Sequence, residues 1–213
     1  MKETAGAVFS IAKDNPPVPS CTVSKAVDED ISYFSLAAGT DISAEVYPCH
    51  KLLLIAGGGM EVYGDDPSVF LAEGDALITS VDTAVGIRTT AGAVYVEIQI
   101  ERMVTMNPVI HPGEVFQLKE LVPYQEGKIV NMDLVNSPHM KFVIMAFDAG
   151  TGLSEHAAPG EALVFALDGE GVIGYEGTEH TIHAGETFHF AKLGRHWVKA
   201  ERPFKMALLL TLE

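Results

Sequence analysis

Cysteine is scarce. Only Cys21 and Cys49 occur in 213 residues, which rules out a disulfide framework and gives no paired-thiol metal motif. Basic residues are scarce as well. Fourteen Lys and Arg face twenty-nine Asp and Glu, for a formal net charge of −15. That balance excludes nucleic acid and anionic membrane surfaces as partners, since both need a basic face. No apolar run approaches the roughly 20 residues that span a bilayer. The start, Met1-Lys2-Glu3-Thr4, carries an acid where a secretory signal carries positive charge, and Ala5–Ala12 is too short for its apolar core. A cytoplasmic protein with reduced thiols is expected. Helical periodicity is also nearly missing: only Val8–Asp14 and Val115–Leu121, each closed by proline, allow one or two turns.

What remains is β pattern. Ile31–Leu36, Lys51–Ile55, Tyr95–Ile100, Lys141–Phe147, Ala162–Leu167 and Phe204–Leu212 are short apolar or alternating runs, punctuated by Gly, Pro, Asp and Asn. A turn signal every 8–12 residues or so is the rhythm of a sandwich or barrel. Ala207–Leu212 is nearly all apolar and should be a central strand. The chain also repeats. Ala38-Gly39-Thr40 matches Ala149-Gly150-Thr151, and the same shift of 150 − 39 = 111 carries Pro48 onto Pro159, Gly58 onto Gly169 and Gly74 onto Gly185. Upstream, Val8-Phe9 matches Val115-Phe116 at a shift of 107. Two similar β domains are expected, 1–104 and 114–213, joined by a linker at about 105–113 where Asn107-Pro108 and His111-Pro112-Gly113 fall.

The chemistry-bearing stretch is Ser154–Gly169. His156 closes a polar run, Ala157-Ala158-Pro159-Gly160 has turn composition, Glu161 opens an apolar run, and Asp168-Gly169 ends it with hairpin chemistry. Residues five apart on one strand face opposite sides, so His156 and Glu161 can meet only if the turn lays two strands side by side. His196 adds a second imidazole. Two histidines and a carboxylate make a mononuclear metal set.

These residues resemble the motifs of the cupin superfamily. The first motif is Gly, five residues, His-x-His, three or four residues, Glu, six residues, Gly. The second is Gly, five residues, Pro-x-Gly, two residues, His, three residues, Asn. Glu161 and His196 stand at motif positions, and His156 stands at the second His. Ser154 replaces the first His, Ala191 and Leu193 replace the Pro and Gly, and Ala200 replaces the Asn. Gly169 comes one residue late for the strict count. The resemblance is to two-barrel members of the "cupin 2 conserved barrel" kind. It implies an all-β chain of two tandem jelly-roll barrels acting as an intramolecular pseudo-dimer, as a monomer or as a homodimer. It also implies a divalent metal (Fe, Mn, Ni or Zn) on His156, Glu161 and His196. In the first copy, the shift of 111 puts Glu45, His50 and Val85 at those positions. That copy is expected to be metal-free and structural, the alternative being a different site formed by Glu45, His50 and neighbouring Cys49.

By alternation Leu163, Phe165 and Leu167 share the face of Glu161, and they are the expected apolar wall for a small-molecule ligand. Ser154 and His189 are the candidate proton-handling or substrate-positioning groups. Trp197 should face away from His196. His180 and His183 read as strand-end residues, and His111 and His139 as solvated loop residues. Two classes of function fit. One is a metal-dependent enzyme of oxygenase, isomerase or hydrolase type acting on a small oxygen-bearing metabolite. The other is a non-catalytic binding or sensing module.

Overall fold

The computed structural model describes residues 1–212. Strands account for nearly all regular structure, in the order β1 (Val8–Phe9), β2 (Thr22–Ala26), β3 (Ile31–Leu36), β4 (Asp41–Val46), β5 (His50–Gly64), β6 (Val69–Ala72), β7 (Asp75–Ile78), β8 (Ala84–Arg88) and β9 (Ala93–Ile100). The second run is β10 (Val115–Gln117), β11 (Ile129–Asn136), β12 (Met140–Phe147), β13 (Thr151–Ala157), β14 (Glu161–Tyr175), β15 (Thr178–His183), β16 (Thr187–Phe190), β17 (Arg195–Ala200) and β18 (Phe204–Thr211). One helical turn, α1 (Ile11–Asp14), and a 3-10 turn at Leu118–Glu120 complete it. The two segments expected to be helical therefore each split into a short strand and a single turn.

Contacts divide the chain into two units, and the division is not linear. The first unit holds Met1–Lys2, Ile11–Val104 and Pro108–Gln117, whereas Glu3–Ser10, Thr105–Asn107 and the chain from Leu118 on make the second. In the first unit, the large sheet runs β10-β7-β5-β9-β3-β2, and β6, β5, β8 and β4 make the smaller one. The second unit repeats this as β1-β16-β14-β18-β12-β11 with β15, β14, β17 and β13. Thus β10, which precedes the second repeat in sequence, pairs with β7 of the first unit, and β1 pairs with β16 of the second. A boundary drawn through 105–113 assigns both of these strands to the other unit.

The shift of 111 governs register as well as turns. Leu53 pairs with Glu97 and Val164 with Leu208; Glu45 pairs with Val85 and His156 with His196. Each unit closes around an apolar interior. In the second this includes Val143, Met145, Ala162, Val164, Phe188, Phe190 and Met206, all buried. In the first it includes Leu36, Leu53, Ile55, Leu77 and Tyr95. Residues on the opposite face of the large sheets, such as Leu52, Ile98, Leu163 and Leu209, are buried too. β18 lies between β14 and β12, as its continuous apolar sequence requires.

The fifteen-residue strands β5 and β14 each take part in both sheets of their unit. They bend at bulges between Ile55 and Gly57 and between Ala166 and Asp168. Gly58 and Gly169, both at φ 73°, follow those bulges. Asp168-Gly169 is therefore a bend within a continuous strand, not a hairpin. A Cβ at Gly169 would run into the Pro203 carbonyl oxygen. Gly169→Ala combines left-handed strain with that clash, so it should lower stability by about 2–3 kcal/mol in urea unfolding. An unchanged midpoint would mean that the bulge relaxes freely.

Candidate metal centre

His156 lies near the end of β13 and His196 near the start of β17. The two are paired across the ladder, with ring centroids 4.3 Å apart. A bulge between Leu153 and His156 restores this pairing after the regular register of Thr151 to Leu153. His196 is buried and stacks on Phe190, centroid to centroid 4.0 Å at 17°. His156 is exposed at the rim.

Each imidazole is held by its own backbone two residues earlier. His156 Nδ1 lies 2.8 Å from the Ser154 carbonyl oxygen, and His196 Nδ1 lies 2.8 Å from that of Gly194. A carbonyl can only accept, so Nδ1 carries the hydrogen in both rings, and in the neutral form the lone pair lies on Nε2. Burial, with a smaller contribution from neighbouring His156, holds His196 below the ordinary imidazole value of 6.5, against the opposing pull of the Gly194 carbonyl. A neutral imidazole with its Nδ1–H anchored to a carbonyl is the state that ligates a metal through Nε2.

Glu161 does not join them. β13 pairs with β17, which lies between it and β14, so the turn at 158–160 does not set His156 and Glu161 side by side. Alternation then decides the face. Ala162 pairs with Phe190 on the side of the histidines, while Leu163 pairs with His189 on the other. Glu161 shares that other side, where its Oε2 sits 3.2 Å from His189 Nε2. Leu163 and Phe165 do share the face of Glu161, as expected, but it is the face away from the histidine pair; Leu167, in the bulge, is half-buried. The proposed apolar wall therefore does not line the pair, and Ala162, Val164 and Phe190 lie on its side instead. Among the described residues, no group of three His, Cys, Asp or Glu side chains could hold a metal.

The late glycine carried this information. Six residues intervening before Gly169, 163–168, put the motif's acid at position 162, not 161. A slip of one residue on a strand moves a side chain to the opposite face. The inward seat for the acid is taken by Ala162, which is fully buried.

The remaining candidates resolve individually. Ser154 contributes its carbonyl to His156, and its position is exposed. His189 is buried and faces away from the pair; its Nδ1–H donates to the Glu3 carbonyl at 2.8 Å, and its own carbonyl accepts from Gly6. It anchors the segment that carries β1. Trp197 lies over Gly174, where a Cβ would meet the indole, with Lys199 Nζ 4.6 Å from the ring centroid. His183 is exposed between Glu170 and Glu186, each at 3.1 Å. In the first unit His50 Nδ1–H donates to the Thr79 carbonyl at 2.7 Å, and Glu45 accepts from the Tyr47 hydroxyl.

Two imidazoles, each with Nδ1–H on a carbonyl, fit two coordination positions of a divalent metal through Nε2, with the remaining positions open to water or a ligand. The comparisons bear on the same unit. Residues 143–211 match the family described as "Cupin domain". The second unit carries a cupin domain over those residues. A cupin 2 conserved barrel domain protein from Leptotrichia buccalis is 29% identical, with a TM-score of 0.87 over 99% of this chain and 98% of that one. A salicylate 1,2-dioxygenase from Pseudaminobacter salicylatoxidans is similar in fold, at 11% identity and a TM-score of 0.64 over 89% of this chain and 76% of that one. A conserved protein of unknown function from Streptococcus pyogenes covers 53% of this chain, at 22% identity and a TM-score of 0.50 over 98% of its own length. Comparison with the curated proteins gives no match. No helix among the described residues is long and apolar enough to cross a membrane.

Proposed function

We propose that the second unit binds a divalent metal (iron, manganese, nickel or zinc) on His156 and His196, together with a small oxygen-bearing metabolite that completes the coordination, and acts on that metabolite. The single observation behind this reading is the pair of Nδ1–H···O=C bonds, which commit Nδ1 of both adjacent rings to backbone carbonyls and leave Nε2 of each for a metal. A metal held there would supply Lewis-acid or, for iron, redox chemistry. Phe190, flat against His196, fixes that ring and keeps water from one side of it. The apolar interior of Ala162, Val164 and Phe188 suits a neutral or weakly acidic ligand. The strongly negative net charge disfavours a multiply anionic one. The likeness to a salicylate 1,2-dioxygenase, named for oxygenase action on a small aromatic acid, keeps oxygenase chemistry among the options.

A second reading, a binding or sensing module, is favoured by one observation. Glu161 and His189 face away from the pair and bond to each other, so they bring no acid or base to it. Two protein ligands hold a metal weakly alone, so a chelating ligand should tighten it. Co(II) titrated into the protein should bind roughly tenfold tighter, or more, when acetohydroxamate supplies two oxygen donors. No cobalt absorption with or without acetohydroxamate would overturn the metal reading. Under air, with iron and a pool of oxygenated metabolites, turnover lost in His156→Ala marks the enzyme; retention of a ligand without conversion marks the module.

A further inference from the structure

The first unit carries a buried polar group of side chains where its repeat carries hydrocarbon. Lys51 and Glu97 are buried, with Nζ 3.1 Å from Oε1. The Lys51 ammonium also lies 3.3 Å from the centroid of the Tyr47 ring, and the Tyr47 hydroxyl donates to Glu45 at 2.9 Å. Beside them the Cys49 thiol approaches Gln99 Oε1 at 3.8 Å. Two residues before Glu97 on β9, and so on the same face, Tyr95 is fully buried, and its hydroxyl has no hydrogen-bond partner.

The second unit gives the control. At the shift of 111, Lys51, Tyr95, Glu97 and Gln99 become Ala162, Met206, Leu208 and Leu210. The ladder confirms the equivalence, because Lys51 pairs with Gln99 as Ala162 pairs with Leu210. Ala162 and Met206 are buried in that unit's core, and Leu208 and Leu210 pack on it. One fold has solved the same four positions with hydrocarbon. A buried ion pair is no better for stability than apolar side chains of similar size, and an unpartnered buried hydroxyl is worse. Lys51 also occupies the inward seat from which the second unit's acid is missing. A fixed ammonium stands there in the first unit.

We propose that this end of the first unit is a metal-free binding site for a small neutral molecule with adjacent hydroxyl, or hydroxyl and carbonyl, oxygens, held by Lys51, Glu97 and Tyr95. The chemistry selects that class. The ion pair offers a donor and an acceptor side by side, which matches neighbouring oxygens of a polyol or hydroxyketone. Its net charge is zero, so a carboxylate would meet Glu97 and Glu45, and an amine would meet Lys51. Burial raises the Tyr95 phenol well above its ordinary value, and burial followed by the Glu45 bond raises Tyr47 to about 12, so both remain neutral donors. Tyr47, half-buried, lies against Lys51 and donates to the exposed Glu45, so the group extends from the interior to solvent.

The test uses the full chain with ring-13C tyrosine, titrated into the millimolar range with erythritol, D-xylose and dihydroxyacetone, and with acetate and methylammonium as charged controls. At least one neutral probe should shift the Tyr95 and Tyr47 ring signals saturably, and Lys51→Met/Glu97→Leu should abolish the shift. No saturable shift with any neutral probe, an equal response to the charged controls, or persistence in the double variant would overturn the proposal. A second readout needs no ligand. The double variant should melt at or above the wild-type temperature, whereas Lys51→Met alone should melt lower because it leaves Glu97 buried and unpaired. A double variant as destabilised as the single one would make the pair structural and overturn the argument for a site.

Discussion

Ala162→Glu is expected to bind Zn(II) at least about 100-fold more tightly than the wild type, because it places the missing carboxylate on the histidine side of β14. Glu161 has the right chemistry one residue too early. Its side chain is directed to His189, and no rotamer carries it through the sheet to the histidine pair. Position 162 is fully buried beside Phe190. A carboxylate there without metal should therefore cost roughly 3–5 kcal/mol, as an uncompensated buried charge does. Zinc should restore the loss by binding only the folded state. The expected result is a variant with a depressed melting temperature in chelator and a large rise on zinc addition. A variant with no gain in zinc affinity would mean that position 162 does not address the pair.

That one-residue difference also marks how far the sequence could be read. The repeat was legible because turns and bulges need particular residues: Gly58 and Gly169 hold the same positive φ after the same bulge, so the shift of 111 survives where side chains have diverged. The histidine pair was legible because both residues stand at motif positions, and β13 and β17 are neighbours. The face of Glu161 was harder. Period-2 geometry makes it depend on an exact count, and the count from Gly169 pointed to Ala162. The strand order was not legible at all. A turn between β13 and β14 says nothing about β17 lying between them, and a short strand such as β1 does not announce which unit it completes. The Lys51–Glu97 pair joins residues distant in sequence, and its only sequence trace is the contrast with Ala162 and Leu208 in the second copy.

Loss of one imidazole should be as decisive as gain of a carboxylate. His196→Ala is expected to weaken metal binding by roughly 100-fold or more, since it removes one of two protein ligands. His50→Ala should leave metal binding unchanged. His50 stands at the position equivalent to Glu161, belongs to the first unit, and uses its Nδ1–H on the Thr79 carbonyl. Losing that bond should cost no more than about 1 kcal/mol of stability. Equal losses in the two variants, or a larger loss in His50→Ala, would place the metal in the wrong unit.

Two imidazoles, and no protein carboxylate, are expected to address the metal. X-ray absorption at the zinc edge of the wild-type protein loaded with one equivalent of Zn(II) measures this directly. Two imidazole nitrogens at about 2.0–2.1 Å are predicted, with the rest of the shell made of exchangeable oxygen donors. The imidazole scattering should halve in His196→Ala. A wild-type spectrum with no imidazole scattering, or one unaltered by that substitution, would mean that the histidine pair does not hold the metal.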